Sequence, residues 1–306
     1  MGTTQYRERV SRDLTLLYRK EENGIWLDGM DSRMPEVVIP DHIDGLPVVG
    51  IYKKAFFNSR FLVSLTLPDT LLQIDDWAFA HCPRLMRVSI PKKDMKLGRS
   101  LFLGSDKIEE IELVPGQDAD TAALFAAAIT LLDAEYLISA SEAGSSEWLR
   151  KWDNRLLEIV RRPDMEGFTK QILCGEEDYG STDMGLYAAN RRKEKVRLCF
   201  TRLLHPLGIA DAVKEELTAY LLDHTCGCDT QDTWDVIRDE CAHKPQYYEF
   251  FAEIGGLTQE NFDIALASLG ERQPELKAYL MRFQEERLQR TDFFDSLSLD
   301  FDDLDF

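Results

Sequence analysis

Five side chains of zinc-ligand type fall within one stretch of twenty residues. They are His224, Cys226 and Cys228 in the run His224-Thr225-Cys226-Gly227-Cys228, followed by Cys241 and His243 in Cys241-Ala242-His243. Thiolates and imidazoles are the donors of tetrahedral zinc, and any four of these five would complete a site. A single residue separates Cys226 from Cys228, whereas familiar zinc modules place two or more between paired cysteines. The same stretch also reads as a helix that ends near Thr225 and turns at Gly227, with the thiols close for structural reasons. Both readings stay open on the sequence. No metal is assigned and no cofactor is expected.

A second stretch is Arg191-Arg192-Lys193-Glu194-Lys195-Val196-Arg197, a dense basic cluster. At helical spacing its charges spread over most of the circumference rather than along one stripe. They suit a solvated helix that balances an acidic neighbourhood, or a contact to phosphate or to an acidic partner. The five histidines are scattered, at 42, 81, 205, 224 and 243. No nucleophile elbow, phosphate-cradling glycine loop or His-Glu-x-x-His run is present in the sequence. No catalytic residue is assigned, and the chain is expected not to be an enzyme.

The third stretch, residues 291–306, mixes six Asp with Phe and Leu and holds no basic residue. Such acidic-hydrophobic composition is that of a disordered segment that folds onto a partner. Its candidate binding residues are Phe301, Asp302, Asp303 and Phe306, which a receptor would meet with an apolar pocket rimmed by Arg or Lys. The last eight residues are similar to the acidic tip of bacterial single-stranded-DNA-binding proteins, a tip that recruits DNA-processing enzymes. The Pro usual before the terminal Phe of that tip is missing here. A solubilising segment, or one that folds back on the basic cluster at 191–197, is the alternative.

Charge is spread unevenly along the 306 residues, whose formal total is −19. Residues 1–116 hold 16 basic and 17 acidic side chains, and residues 117–290 hold 20 and 32. The acidic second half repels phosphates, which points away from direct nucleic-acid binding and toward a protein partner, basic or with a basic-rimmed apolar pocket. The apolar run from Ala122 to Leu132 is too short to cross a bilayer, and the first residues have no apolar signal core. Six cysteines in that setting read as reduced thiols, so a cytoplasmic protein with no membrane contact is expected. The oligomeric state stays open.

These stretches hang on a repeat. One pattern is written three times at a spacing of 23 residues: Ile51, Ile74, Leu97; Phe56, Phe79, Phe102; Leu62, Leu85, Ile108; Leu65, Val88, Ile111; Leu67, Ile90, Leu113. A fixed period of this size signals stacked units, each too small to bury its own apolar face. Val37-Val38-Ile39-Pro40 joins the series at a longer interval of 28, and each Val/Leu-x-Ile/Leu triplet sends two apolar side chains to one face of a strand. Leu14 to Tyr18 and Ile25 to Leu27 are short strands before it, turning at Asn23-Gly24. Ser59, Cys82 and Ser105 share a column that suits a small side chain bonded to the backbone at a tight inner turn.

The units running from Ala55 to Pro68 and from Ala78 to Pro91, with the entry segment from Ile43 to Ile51, resemble the BspA-like leucine-rich repeats over about residues 36–114. That resemblance implies a bacterial repeat protein that binds other proteins. Leu101 stands where the other units have Ala, and Val114 separates Leu113 from Pro115, as suits a terminal unit.

After Pro115-Gly116 the periodicity becomes helical. A helix capped by Asp118 or Asp120 and running to about Ala134 is placed to cover the last repeat, and Ser146 caps another that ends at Arg162-Pro163. Further helices are expected at about 164–173, 183–204, 209–225, 230–243, 245–254, 258–269 and 273–289. Glu216–Leu221 is echoed by Glu275–Leu280, and Asp183–Leu203 aligns with Glu260–Leu280, a pattern loosely similar to ankyrin-type hairpins. The expected fold is thus α+β: a short leucine-rich-repeat β-solenoid followed by an all-α helical-hairpin array. The expected domains are 1–116, 117–290 and a tail at 291–306. The expected function is a non-enzymatic protein-interaction module or scaffold. A surface adhesin exported by an unrecognised route and a zinc-binding regulator are the alternatives.

Overall fold

The 23-residue period becomes a parallel register. Ile51 lies beside Ile74 and Ile74 beside Leu97 in one sheet, while Leu65, Val88 and Ile111 line up in another. The computed structural model describes residues 5–105, 107–116, 118–132, 134–168, 183–270 and 273–288. Its strands are β1 (Tyr6–Ser11), β2 (Leu14–Glu21), β3 (Gly24–Ser32), β4 (Glu36–Val38), β5 (His42–Ile43), β6 (Leu46–Ile51), β7 (Ser64–Thr66), β8 (Gln73–Ile74), β9 (Arg87–Pro91), β10 (Lys96–Leu97) and β11 (Glu110–Val114). One sheet runs β1-β2-β3-β6-β8-β10 with β5 on β6, and the other runs β11-β9-β7-β4.

Each turn of the chain lays one strand in the first sheet, bends through a corner, and lays the next strand in the second. The pairs β3–β4, β6–β7, β8–β9 and β10–β11 make four turns of a β-solenoid. Several of these strands are only two or three residues long, so stacking supplies what strand length does not. Ile51, Leu65, Leu85, Ile90, Ile111 and Leu113 are all fully buried between the sheets. The hairpin of β2 and β3 turns at Glu22-Asn23, one residue before the expected Asn23-Gly24, and Gly24 opens β3 with a φ of +142°, where an added Cβ would meet the Pro47 carbonyl oxygen at 2.5 Å. Strand β1 pairs with Leu14–Tyr18 of β2 at the sheet edge. Its side chains are mostly exposed, so it left no alternating signal in the sequence.

The corners hold a third ladder. Phe56, Phe79 and Phe102 stack at centroid separations of 5.3 and 5.4 Å, with planes 18° and 16° apart. Backbone amides of Phe56, Asn58, Phe79 and His81 donate to the carbonyls of Ala78, Ala80, Leu101 and Leu103 one turn on. Left-handed residues recur at the same period, at Lys54, Trp77 and Ser100 and again at Asn58, His81 and Gly104. Such conformations are uncommon for residues with a Cβ and persist where the surrounding ladder holds them. The Ser59 hydroxyl donates to the Phe56 carbonyl (2.7 Å), the Ser105 hydroxyl to that of Phe79 (2.9 Å), and the buried Cys82 thiol to that of Phe56 (3.3 Å). The column of small residues is a set of backbone ties.

Helix α1 (Ala119–Thr130) begins at Asp118, whose carboxylate accepts the Thr121 amide at 2.7 Å, and it packs on β11. Helix α2 (Ser146–Arg161) starts one residue earlier than expected at its cap, because the hydroxyl that accepts the Trp148 amide belongs to Ser145. Trp148 and Trp152 are fully buried, and their indole N–H groups donate to the carbonyls of Leu137 and Leu124, both at 2.9 Å. Both tryptophans lie in the first compact unit, residues 1–158 with 205–209. In the same unit His205 Nδ1 lies 2.8 Å from Asp120 Oδ1.

The second unit, residues 159–204 with 210–306, contains α3 (Met184–Leu204), α4 (Asp211–Asp223), α5 (Asp232–Glu240), α6 (Pro245–Glu253), α7 (Gln259–Ala267) and α8 (Pro274–Phe283), followed by a π-helical turn at Gln284–Leu288. Helix α3 packs against α4, α5 and α6. The echo of 216–221 at 275–280 marks equivalent buried positions, since Leu217, Leu221, Leu276 and Leu280 are all fully buried. The longer alignment has no structural counterpart: residues 184–203 form one continuous helix, whereas 260–280 are split between α7 and α8. Among the described residues no helix is long and apolar enough to cross a membrane.

Candidate interaction surfaces

At the solenoid corners the buried phenylalanine ladder forces the flanking side chains outward. Lys53 and Lys54 lie over the ring of Trp77, with Nζ 4.4 and 5.1 Å from its centroid, and Lys54 also covers Phe57 at 5.4 Å. Phe57 meets His81 edge-on at 5.2 Å. Phe57, Phe61 and Leu103 remain 43%, 47% and 55% exposed, a large apolar display for one edge of a small solenoid. No carboxylate falls between Tyr52 and Val63, and among the described residues Lys53 and Lys54 form no ion pair. Asp75 and Asp76 on the next turn are engaged, the first with the Gln73 side-chain amide (2.7 Å) and the second with the Arg99 backbone amide (2.8 Å). The corner therefore presents cations seated on aromatic faces, a geometry that holds the charge outward on a stiff support.

A shallow depression of about 340 Å³ opens elsewhere on this unit, lined by Trp26, Leu72, Met95 and Lys96 among others. Trp26, one of its lining residues, tilts against Tyr52 with ring centroids 4.9 Å apart. It gathers no convergent set of titratable groups, and no chemistry is assigned to it.

The basic cluster of α3 is not solvated in the way its spacing suggests. Arg192 pairs with Asp232 and, at 3.4 Å, with Asp164. Lys195 is only 3% exposed and donates to Asp164 (2.6 Å) and to the Arg162 carbonyl (2.5 Å). Arg197 makes a two-pronged contact with Glu240, both arms at 2.7 Å, while Arg191 meets Glu194 at 2.9 Å and Lys193 approaches Asp235 at 4.0 Å. All five cations are engaged within their own unit. The cluster ties α3 to α5 and to the chain near 162–164.

The five zinc-type side chains do not converge. Among the described residues no group of three or more His, Cys, Asp or Glu side chains is arranged to hold a metal ion. His224 follows the end of α4, its Nδ1 is 2.5 Å from the Thr230 hydroxyl, and its ring lies 4.5 Å from Tyr220. Burial lowers its pKa below the ordinary histidine value. Cys226 and Cys241 are buried, and loss of hydration pushes their thiols up to about 12 and about 11. Cys228 is exposed, with its sulfur 3.5 Å from the Leu222 carbonyl oxygen. The turn at Gly227, with a φ of +89°, fits the helix-end reading. The candidates Phe301, Asp302, Asp303 and Phe306 lie outside the described residues.

Comparison with known proteins bears on the repeat region alone. A family profile matches residues 31–134 in six copies, under the description BspA type Leucine rich repeat region. Residues 31–134 are a BspA-type leucine-rich repeat region. The chain is similar to a leucine rich cell surface protein from Faecalibacterium prausnitzii A2-165, at 23% identity and a TM-score of 0.31, over 38% of this chain and 31% of that one. The chain thus spans about a third of that protein's length. A leucine rich repeat protein of T. pallidum matches at 23% identity and a TM-score of 0.26, over 31% of this chain and 60% of its own. A leucine-rich repeat protein from Bacteroides capillosus ATCC 29799 matches at 18% identity and a TM-score of 0.27, over 35% and 97%. No curated protein matches the chain.

The columns of the repeat told in advance which positions are buried. Lys53, Lys54 and Trp77 are unmarked in the sequence, because exposed corner positions need not repeat in type. The one available signal was the fixed offset of 23 residues between Lys54 and Trp77, which places them on adjacent turns.

Proposed function

We propose that this protein is a non-enzymatic protein-interaction module that binds its partner through the corner edge of the leucine-rich repeat region. The observation that carries this reading is the exposed cation-aromatic edge of Lys53, Lys54, Phe57 and Trp77 on a stacked, stiff scaffold. Aromatic side chains on a rigid support are what protein-binding surfaces concentrate. Nothing at that edge resembles a nucleophile with its base, so binding is the function it supports. The acidic segment at 291–306 adds a second, peptide-like element, and the cytoplasm is the proposed compartment.

Affinity capture with the full-length protein and with a chain ending at Arg290 tests the reading. A partner retained by both assigns binding to the folded part, and one lost on truncation assigns it to the acidic segment. Empty captures from both overturn the proposal. Recovery of the protein only in a membrane or surface fraction would overturn the compartment.

A further inference from the structure

Two basic surfaces of this chain could receive an acidic, aromatic peptide, and the structure separates them. The cluster at 191–197 is the obvious one in sequence, yet each of its five cations is bound to a carboxylate of its own unit. Bringing an outside acid there means breaking a pair, and for Lys195 breaking it in a buried position, which costs more than an exposed contact returns. The corner edge is the reverse case. Lys53 and Lys54 are exposed and seated on Trp77 and Phe57, with Arg60 on the same turn and no carboxylate between Tyr52 and Val63.

The chemistry that fits this edge is an Asp-rich segment with interspersed large apolar side chains. Carboxylates would meet Lys53, Lys54 and Arg60, while rings would cover the exposed faces of Phe57 and Phe61, 43% and 47% open to solvent. The chain carries one segment of that composition. Residues 291–306 hold six Asp, four Phe and no basic residue. We infer that the corner edge of the repeat region receives residues 291–306 of a second copy of this chain. The inference rests on reading the repeat region as a binding surface, and it names the occupant.

The test is self-association of the full-length protein by sedimentation velocity over about 1 to 100 µM, in about 0.05 M and 0.5 M salt. The wild type is compared with Lys53→Glu/Lys54→Glu and with a variant carrying Asp300→Asn, Asp302→Asn, Asp303→Asn and Asp305→Asn. Reversible association is expected for the wild type at low salt, with roughly tenfold or more weakening in each variant and at high salt. A labelled peptide of residues 291–306 is expected to bind the full-length wild type saturably and the lysine variant at least about tenfold more weakly. Circular dichroism of both variants checks that the fold is kept.

A wild type that stays monomeric throughout overturns the inference, as does association that survives both variants. A monomer whose asparagine variant binds the peptide, when the wild type does not, returns the segment to its own chain and overturns the second-copy occupant. A wild type that stays monomeric but captures a different protein, which the lysine variant loses, leaves the interaction-module reading standing while removing this one.

Discussion

Phe79 is the centre of the corner ladder, and its replacement by Ala tests whether ring stacking holds the solenoid. The side chain is fully buried and stacks on Phe56 at 5.3 Å and on Phe102 at 5.4 Å. Removing a buried Phe costs about 3–5 kcal/mol through lost transfer energy and the cavity left behind. Phe79 has two ring neighbours, whereas Phe56 and Phe102 have one stacked phenylalanine each, and an aromatic pair adds about 0.5–1.5 kcal/mol beyond its buried area. Phe79→Ala is therefore expected to cost about 1 kcal/mol more than Phe56→Ala or Phe102→Ala. Urea unfolding followed by tryptophan fluorescence reads this, because Trp26, Trp77, Trp148 and Trp152 all lie in the first unit. With a slope of about 2 kcal/mol/M, the Phe79→Ala midpoint falls by about 2 M. A loss below about 2 kcal/mol, or a cost no larger than that of the end residues, would show that the backbone ladder holds the corner without the rings.

Other expectations are as direct. Gly98→Ala places a Cβ 2.4 Å from the Asp76 amide nitrogen and 2.5 Å from the Asp75 carbonyl carbon, and backbone cannot rotate away. It should cost about 2–3 kcal/mol in the same urea assay, and an unchanged midpoint refutes the close approach of these turns. Asp118→Ala removes the cap of α1 and should cost about 1 kcal/mol at pH 7. The Thr121 amide holds the Asp118 carboxyl below its ordinary value of 3.8, so its contribution is present above that value and fades as pH falls further. The gap in melting temperature between wild type and Asp118→Ala should thus be steady near pH 7 and narrow below about pH 4. A gap that widens in acid sinks the assignment. Alkylation at pH 8 with peptide-level mass spectrometry should modify exposed Cys228 well before Cys226 and Cys241, whose buried thiols are pushed up to about 12 and about 11. Equal labelling of the three would contradict their placement.

What the amino-acid sequence determined by itself is the solenoid interior. Ile51, Ile74 and Leu97, or Phe56, Phe79 and Phe102, are legible as columns because every turn must fill the same space against its neighbours, and that demand repeats at the period of the turn. Helix starts at Asp118 and Ser145 were legible within a residue for a similar reason, since local backbone needs select local side chains. The surfaces followed no such rule. Spacing alone made the cluster at 191–197 a solvated basic helix, because its partners Asp164, Asp232 and Glu240 stand 28 to 43 residues away in the chain. The Cys and His side chains at 224–243 looked like a metal set, because spacing cannot say which of them folding buries. Lys53, Lys54 and Trp77 form a surface only once two turns are stacked. Burial constrains residue type at every repeat and so leaves a written period, whereas an exposed edge accepts many side chains and becomes specific only through neighbours that the fold supplies.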